Sequence, residues 1–263
     1  MKIFKIRASA AGSIMAGSIV LSDPQKKKLQ GFQDKVKSGK ELTALQSAEN
    51  DKLLKLEKNP TLPAGVKTFC QTWVRENVVY NRRKEFRSKY TDKGNFCESD
   101  SIEFLNKHLL CEYDKNEEYK ENEWMTGTPD IITDDEIIDI KNSYDTDTFP
   151  LFDFGIKNKD YYYQLQVYMA LFGKSKATLA YTLMNAPFHL IEREAKSQAW
   201  NNNVDYDTIF SSVHSHMTFG DVEPKHRYKL FNIDFDPAVI EKVKARVELC
   251  RTYINELIKE LEK

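Results

Sequence analysis

An aspartate and a lysine lie two residues apart in an isoleucine-rich segment of this sequence. The segment 136–141 reads E-I-I-D-I-K, and the alternation of a strand places Asp139 and Lys141 on one face, with isoleucines on both faces. Isoleucines on both faces predict a central strand that is buried on each side. An acid and a base that share a face of such a strand are costly to bury unless they serve each other or a cation.

A second acid precedes this aspartate by nine residues. Asp130 ends the motif G-T-P-D, and the surrounding pattern predicts a hairpin of Trp124–Ile132 and Glu136–Lys141, with the turn at Thr133–Asp135. Two carboxylates that converge on a hairpin suit Mg²⁺, which takes few protein oxygens and keeps water or phosphate oxygens. A nearby lysine could orient or deprotonate a water, or neutralise a charged transition state. The alternative is a surface-facing edge strand that carries an ordinary ion pair.

Two predicted helices must hold further polar side chains beside this hairpin. In a helix from Phe96 to Leu110, Glu98 falls on the inward apolar stripe, which indicates a ligand or a buried hydrogen bond. In a second helix over 160–173, Gln164 and Tyr168 share one stripe beside an apolar one. The alternative for the second helix is an amphipathic helix with an exposed polar border.

The rest of the sequence predicts an α/β layered domain with an N-terminal helical extension. Chain breaks are expected at 59–63 and at Lys93–Gly94. The other predicted elements are a short strand over 4–7, an exposed helical layer over 22–60, a helix from Val66 to Glu85, strands over 177–184 and 228–235, and a closing helix over 238–261. We expect one domain over 1–263, with a helical part at 1–92, a core at 93–185, and a closing strand and helix at 186–263.

Taken in order, these motifs resemble those of a known nuclease superfamily. G-x-P-D, eight residues, D-I-K and then Y-x-x-Q-L-Q-x-Y-M resemble the PD-(D/E)XK nucleases, most closely the lambda-exonuclease and YqaJ-like recombinase branch, with RecB-like nuclease domains as near relatives. The stretch K-G-x-x-x-E at 93–98 is similar to that branch's lead-in to the core. The resemblance covers mainly residues 93–185. It implies a restriction-endonuclease-like core, in which a mixed central β-sheet is flanked by helices.

The resemblance also implies a role for each site residue. Asp130 and Asp139, with the Ile140 carbonyl, would hold Mg²⁺ or Mn²⁺, two ions per site, and Glu98 would help to position the metal. The second acid is aspartate here, where this branch more often has glutamate. The remaining implied roles are Lys141 to activate or steady the attacking water, Gln164 to orient the lysine or the substrate, and Tyr168 to support that wall beside the DNA.

Further residues are candidates for contacts with DNA. The branch carries an N-terminal arginine and serine near the DNA 5′ end; Arg7 and Ser9 resemble these, and Thr128 could add a hydroxyl to the same pocket. The alternative is a charge at a strand end and a helix cap. A basic cluster, which could contact phosphates or could be a solvated helix end, comprises Arg82, Arg83, Lys84, Arg87 and Lys89.

Composition limits the other classes of function. The chain has 263 residues, a net charge of −1, 30% charged and 12% aromatic residues, which is typical of an ordered, soluble protein without a global charge for nucleic acid. The small-residue stretch 8–21 is too polar for a membrane span. Four scattered cysteines without a C-x-x-C pair predict reduced thiols, and no iron–sulfur cluster. We interpret His214, His216 and His226 as loop histidines rather than zinc ligands.

The resemblance implies a Mg²⁺-dependent exonuclease that hydrolyses linear double-stranded DNA in the 5′–3′ direction and leaves 5′-phosphate products, in phage-type recombination. The implied partners are double-stranded DNA ends, a single-strand annealing protein and further copies of the chain in a trimer, in the cytoplasm of a bacterial or phage-infected cell. Two rival functions stay open. One is a RecB-like or structure-specific endonuclease with the same chemistry, and the other is a non-catalytic DNA-binding protein on a nuclease scaffold.

Overall fold

The computed structural model describes residues 2–19, 21–58, 60–83 and 87–263. Two compact units make up the chain. The helical unit comprises Met1–Phe4, Gly12–Arg83 and Glu241–Lys263, and the sheet unit comprises Lys5–Ala11 and Lys84–Ile240. In the described part of the chain, no helix is both long and apolar enough to span a bilayer.

The sheet unit is built on a four-stranded mixed sheet. The strands of the chain are β1 (Ile6–Arg7), β2 (Lys120–Glu121), β3 (Met125–Gly127), β4 (Ile131–Ile132), β5 (Glu136–Asn142), β6 (Lys176–Thr182) and β7 (Tyr228–Asp234). The main sheet has the order β4-β5-β6-β7, with β5 and β6 parallel and the other two pairs antiparallel. Strand β5 therefore has a neighbour on each side, and its residues 137–140 are buried. The predicted central strand is confirmed, and the alternative of an edge strand is wrong.

The predicted hairpin is only partly correct, because part of its first strand belongs to a second, smaller sheet. Strands β4 and β5 do pair, with Ile131 opposite Ile138. However, the segment 124–132 is not one strand: β3 belongs to a second sheet of order β1-β3-β2. The main chain leaves β3 at Thr128–Asp130, where Pro129 has no amide hydrogen to donate to a ladder. Asp130 therefore lies in a bend before β4 rather than within a strand.

Helices flank both sheets and form a separate layer in the helical unit. They are α1 (Ala11–Met15), α2 (Asp23–Lys37), α3 (Ala44–Lys58), α4 (Ala64–Val74), α5 (Lys89–Leu109), α6 (Lys159–Phe172), α7 (Phe188–Asn202), α8 (Tyr206–Met217) and α9 (Pro237–Leu261). Strand β5 is held between two of them. Ile102 of α5 packs with Ile138 and Ile140 on one face of β5. Gln164 of α6 donates a hydrogen bond to Asp139 on the opposite face of the strand. The mixed α/β fold is confirmed.

Several predicted helix bounds are wrong. Helix α5 begins at Lys89 rather than Phe96 and runs through the predicted break at Gly94, because Ser88 and Thr91 form a capping box at its start. The helix predicted over 66–85 begins at Ala64 and widens into a π-helical turn at Arg75–Val79. Glu85, its predicted end, lies outside the described residues.

Two helices were not predicted. Helices α7 and α8 fill residues 188–217, and His214 and His216 lie in the last turn of α8 rather than in a loop. His226 lies in a short 3₁₀ turn at Pro224–His226. The small-residue segment after β1 also differs, because Ser9 lies inside a 3₁₀ turn at Ala8–Ala10 whose first residue is not capped by a side chain. The helix-cap alternative for Ser9 is therefore wrong.

Candidate active site

An open cavity of about 560 Å³ in the sheet unit contains the predicted acids and lysine. The end of β5, the bend before β4, helix α5 and helix α6 each contribute to its wall. The predicted residues that line it are Ser9, Glu98, Asp130, Asp139, Ile140, Lys141 and Gln164. Residues that are 155 positions apart in sequence thus meet around one cavity.

Asp139 is the most buried of these acids, with 1% of its surface exposed. Its Oδ1 accepts a 3.0 Å hydrogen bond from Nε2 of Gln164. Its Oδ2 lies 2.6 Å from Nζ of Lys141 as an ion pair, and no hydrogen bond of good geometry reaches that oxygen from the described residues. With one ion pair and one hydrogen bond, the carboxylate of Asp139 keeps further lone pairs for a cation or a water.

Asp130 approaches Asp139 from the bend before β4. Its Oδ2 accepts a 2.7 Å hydrogen bond from the backbone amide of Ile140, which fixes the loop acid to β5. Burial and, to a smaller extent, the charge of the neighbouring Asp139 together raise the pKa of Asp130 to about 7, against the opposing effect of Lys141. Two buried carboxylates that repel each other form a site that a divalent cation would stabilise.

The carboxylates around Lys141 favour its protonated, positively charged form. Its burial opposes the charge, but the carboxylates of Asp139 and Asp130 outweigh that effect and raise the pKa of Lys141 above its ordinary value. The ammonium also lies 5.0 Å from the centre of the Tyr161 ring, within the range of a cation–π interaction. With its pKa raised in this way, the amine is protonated at neutral pH and supplies positive charge and a hydrogen bond to the site.

Glu98 lines the same cavity with a different partner. A quarter of its side chain is exposed, and its Oε1 lies 3.1 Å from Nζ of Lys115. The described residues hold no group of three His, Cys, Asp or Glu side chains placed to share one metal ion. The residues that could hold a divalent cation directly are therefore Asp130 and Asp139, with the main chain at Ile140. Such a site needs water or phosphate oxygens to complete the coordination, as Mg²⁺ sites usually do.

Tyr168 contacts the site without lining the cavity. It is buried, and its hydroxyl accepts a 3.1 Å hydrogen bond from Nε2 of Gln164. Its ring lies so close to Gly127 of β3 that a Cβ on Gly127 would be 2.7 Å from Cε1 of Tyr168. The tyrosine therefore supports Gln164, and through it Asp139, as a buried residue outside the cavity lining, and the contact with DNA predicted for it stays a prediction.

The predicted DNA contacts are dispersed. Ser9 lines the cavity, whereas Arg7 in β1 and Thr128 are exposed residues outside its lining. Arg82 and Arg83 are exposed in the helical unit, and Arg87 is exposed in the sheet unit just before α5. Lys84 lies outside the described residues. A DNA-binding role for these residues stays a prediction.

Sequence reasoning missed a buried lysine next to the site. Lys93 has no exposed surface, and its Nζ donates to the carbonyl oxygens of Ser143 and Tyr144, at 2.8 and 2.9 Å. Both of those residues line the cavity. Lys93 lies four residues before Cys97, on the buried face of α5. The helical period would have predicted that Lys93 is buried, but the predicted helix begins only after Gly94.

Solved nuclease structures share this architecture over nearly the whole chain. A phage-related exonuclease from Haemophilus somnus 129PT superposes with a TM-score of 0.69 at 21% identity, over 99% of this chain and 97% of that chain. An alkaline exonuclease from Laribacter hongkongensis superposes with a TM-score of 0.57 at 11% identity, over 98% of this chain and 91% of that chain. This chain has the fold of these exonucleases.

The exonuclease fold confirms the architecture that the motifs implied. The Laribacter enzyme in complex with dAMP is similar to the same degree, with a TM-score of 0.56 at 12% identity. No family model and no curated protein sequence matches the chain. At these identities the likeness establishes the fold.

Proposed function

We propose that this protein is a metal-dependent exonuclease that hydrolyses phosphodiester bonds at the ends of double-stranded DNA. The observation that carries the proposal is the meeting of Asp130, Asp139 and Lys141 in one cavity, where Oδ2 of Asp139 lies 2.6 Å from Nζ of Lys141 and Oδ2 of Asp130 accepts a hydrogen bond from the next residue on the same strand, Ile140. The exonucleases that share the fold support the same reading.

The donor set fits a divalent cation such as Mg²⁺ or Mn²⁺. Asp130 and Asp139 would hold it, with the Ile140 carbonyl beside them, and Glu98 lies in the same cavity to position water. When bound, such a cation polarises the phosphate and lowers the pKa of a coordinated water. Both carboxylates are already fixed, Asp130 by the Ile140 amide and Asp139 by Gln164, so they need little reorganisation to bind.

Lys141 supplies the positive charge of the reaction. Water attacks phosphorus and gives up a proton to solvent as the P–O bond to the 3′ oxygen breaks. The 3′ oxygen takes up a proton from solvent and leaves as a hydroxyl, and the phosphate stays on the 5′ carbon of the product. Negative charge develops on the phosphoryl oxygens as the water adds, and the ammonium of Lys141 stabilises it. Because Lys141 stays protonated, of the two roles predicted for it we favour orienting the water and neutralising charge over deprotonating the water.

The decisive experiment compares DNA topologies. We expect Mg²⁺-dependent degradation of an end-labelled linear duplex and none of a covalently closed circle of the same sequence. Lys141→Ala and Asp139→Ala should lose the activity, while Glu103→Ala, which removes an exposed acid on α5, should retain it. Cleavage of the closed circle would favour the rival function of an endonuclease. If the wild type were no more active than Lys141→Ala, the protein would instead be a DNA-binding protein without catalytic activity.

The polarity and the end group can be tested with the same duplex. We propose 5′–3′ digestion, with Ser9 contacting a 5′-phosphate at the edge of the cavity. Equal rates on duplexes with and without a 5′-phosphate would remove the role of Ser9 and leave the hydrolysis itself intact.

A further inference from the structure

A loop beside the active site exposes two phenylalanines. Between β5 and α6, Phe152 is 84% exposed and Phe154 is 100% exposed. Each ring therefore lacks the stabilisation that burial of a phenylalanine side chain provides. Single exposed apolar residues are common, but two rings on one loop form a patch of the kind that marks a binding surface.

The loop is anchored although its tip is exposed. Phe149 packs in a buried cluster with Leu183 and Phe219. The ammonium of Lys229, on β7, donates a 2.6 Å hydrogen bond to the carbonyl oxygen of Leu151. The two phenylalanines are therefore presented from a fixed base, which lowers the entropy cost of binding a flat partner against them.

A second cavity, of about 330 Å³, lies against this loop. Thr148 and Tyr181 line both this cavity and the active-site cavity, so the two cavities are adjacent. Phe152 and Phe231 contribute to its wall, which also includes two acids. One of those acids, Asp153, is paired with Lys157, and the other is Asp147.

Aromatic rings connect the catalytic lysine to the exposed loop. The ring of Tyr161, which lies beneath the Lys141 ammonium, is 6.4 Å from that of Tyr181. The Tyr181 ring is 5.9 Å from that of Phe231, and the Lys229 ammonium lies 5.9 Å from the Phe231 ring and 5.6 Å from the Phe154 ring. These ring pairs meet edge to face. Aromatic rings with interspersed cations are typical of surfaces that bind single-stranded nucleic acid, and the open faces of Phe152 and Phe154 can stack on any base because every base has a π-face.

We propose that Phe152 and Phe154, with the cavity that Phe152 lines, form a subsite that stacks unpaired bases of the DNA strand whose phosphate occupies the acid cavity. This inference rests on the proposed function. Because Thr148 and Tyr181 line both cavities, the loop lies next to the active site, which favours a nucleotide of the substrate over a protein partner as the occupant. The subsite would hold the strand in register for the next cut, without reading its sequence.

The test uses the full chain with Phe152→Ala and Phe154→Ala combined. The variants are made together with Asp139→Asn, which should prevent cleavage of the DNA. Fluorescence then follows the binding of a duplex whose single-stranded end carries 2-aminopurine. We expect the double variant to weaken binding by at least about fivefold, the lower end for loss of one stacked base, and to lose the quenching of 2-aminopurine. In the active background it should raise KM more than it lowers kcat.

Conservative variants separate stacking from apolar docking. Phe154→Trp should retain quenching and affinity because an indole stacks, whereas Phe154→Leu should not. Trp200→Ala is the matched control, since that ring is 86% exposed on α7 and lines neither cavity. Rescue by leucine would overturn the inference in favour of a protein-docking face, as would a double variant that binds and quenches like Trp200→Ala.

Failure of the subsite and failure of the proposed function give different results. If the wild type degrades linear duplex in Mg²⁺ and the phenylalanine variants match it, only the subsite falls. If the wild type neither binds nor degrades DNA, both the subsite and the proposed function are refuted. Thermal unfolding of each variant should match the wild type, because both rings lie outside the core.

Discussion

The carboxylate of Asp130 is hydrogen-bonded to the backbone of the strand that carries Asp139: its Oδ2 accepts from the amide of Ile140 at 2.7 Å. This contact joins two acids that are nine residues apart and belong to different segments of backbone. It also brings them close enough for their charges to repel, which contributes to the raised pKa of Asp130, about 7. The hydrogen bond therefore holds in place a pair of charges that would otherwise separate.

Asparagine and alanine at position 130 should behave differently. Asp130→Asn keeps an oxygen that can accept from the Ile140 amide but removes the charge, so we expect the metal-free variant at pH 8 to unfold at the wild-type temperature or above. Asp130→Ala leaves the buried amide unsatisfied and should lose about 1–3 kcal/mol of stability. Both should abolish Mg²⁺-dependent degradation. Differential scanning calorimetry and the linear-duplex assay measure the two effects, and equal destabilisation by both variants would contradict this account.

Gln164 should matter more than Tyr168 for metal affinity. The amide of Gln164 donates to Asp139 directly, whereas Tyr168 contacts only Gln164 in this chain of hydrogen bonds. Loss of an outer partner of a metal ligand typically costs about 10–100-fold in affinity or activity. We expect Gln164→Leu to weaken Mn²⁺ binding within this range in a titration calorimeter, and Tyr168→Phe to weaken it less. A larger effect of Tyr168→Phe would show that the hydroxyl acts by another route.

The sequence predicts the chemistry of the site better than its surroundings. Alternation alone places Asp139 and Lys141 on one face of a buried strand, because strand geometry fixes the period. Local patterns do not show that Thr128–Asp130 divides two sheets, since that depends on which strands pair. Nor do they show that Lys93 is buried, because a lysine followed by a glycine ordinarily indicates exposed chain, and only the carbonyls of Ser143 and Tyr144 reverse this.

The same substitution should have opposite effects at two glycines. A Cβ at Gly127 would lie 2.7 Å from Cε1 of Tyr168 and 3.2 Å from the Cβ of Ala8. Gly127→Ala should therefore displace the tyrosine, lower stability by about 1–3 kcal/mol as overpacking does, and reduce activity through Gln164. At Gly31, inside α2, a Cβ meets nothing within 4 Å, and alanine should add roughly 0.5–1 kcal/mol. Urea unfolding of both variants checks the signs, and a stabilised Gly127→Ala would refute the close contact.

Lys93 should give the stability of the protein a particular pH dependence. Burial lowers the pKa of its ammonium from 10.5 to about 8, although the neighbouring Cys97 and Asp145 oppose the shift. Between these two values the unfolded chain binds a proton that the folded protein has released. The contribution of Lys93 to stability therefore rises with pH from about 8 to about 10.5, by about 1.4 kcal/mol per pH unit.

This dependence is measurable as a difference between two proteins. We expect the free energy of unfolding of the wild type minus that of Lys93→Met to increase between pH 8 and pH 10 in urea titrations. Lys107→Met, which replaces an exposed lysine on the same helix, should give a difference that does not change with pH. Below pH 8 the Lys93 difference should be constant, because the lysine is protonated in both states there. A flat difference from pH 7 to pH 10 would mean that Lys93 keeps its charge in the core, held by the carbonyls of Ser143 and Tyr144.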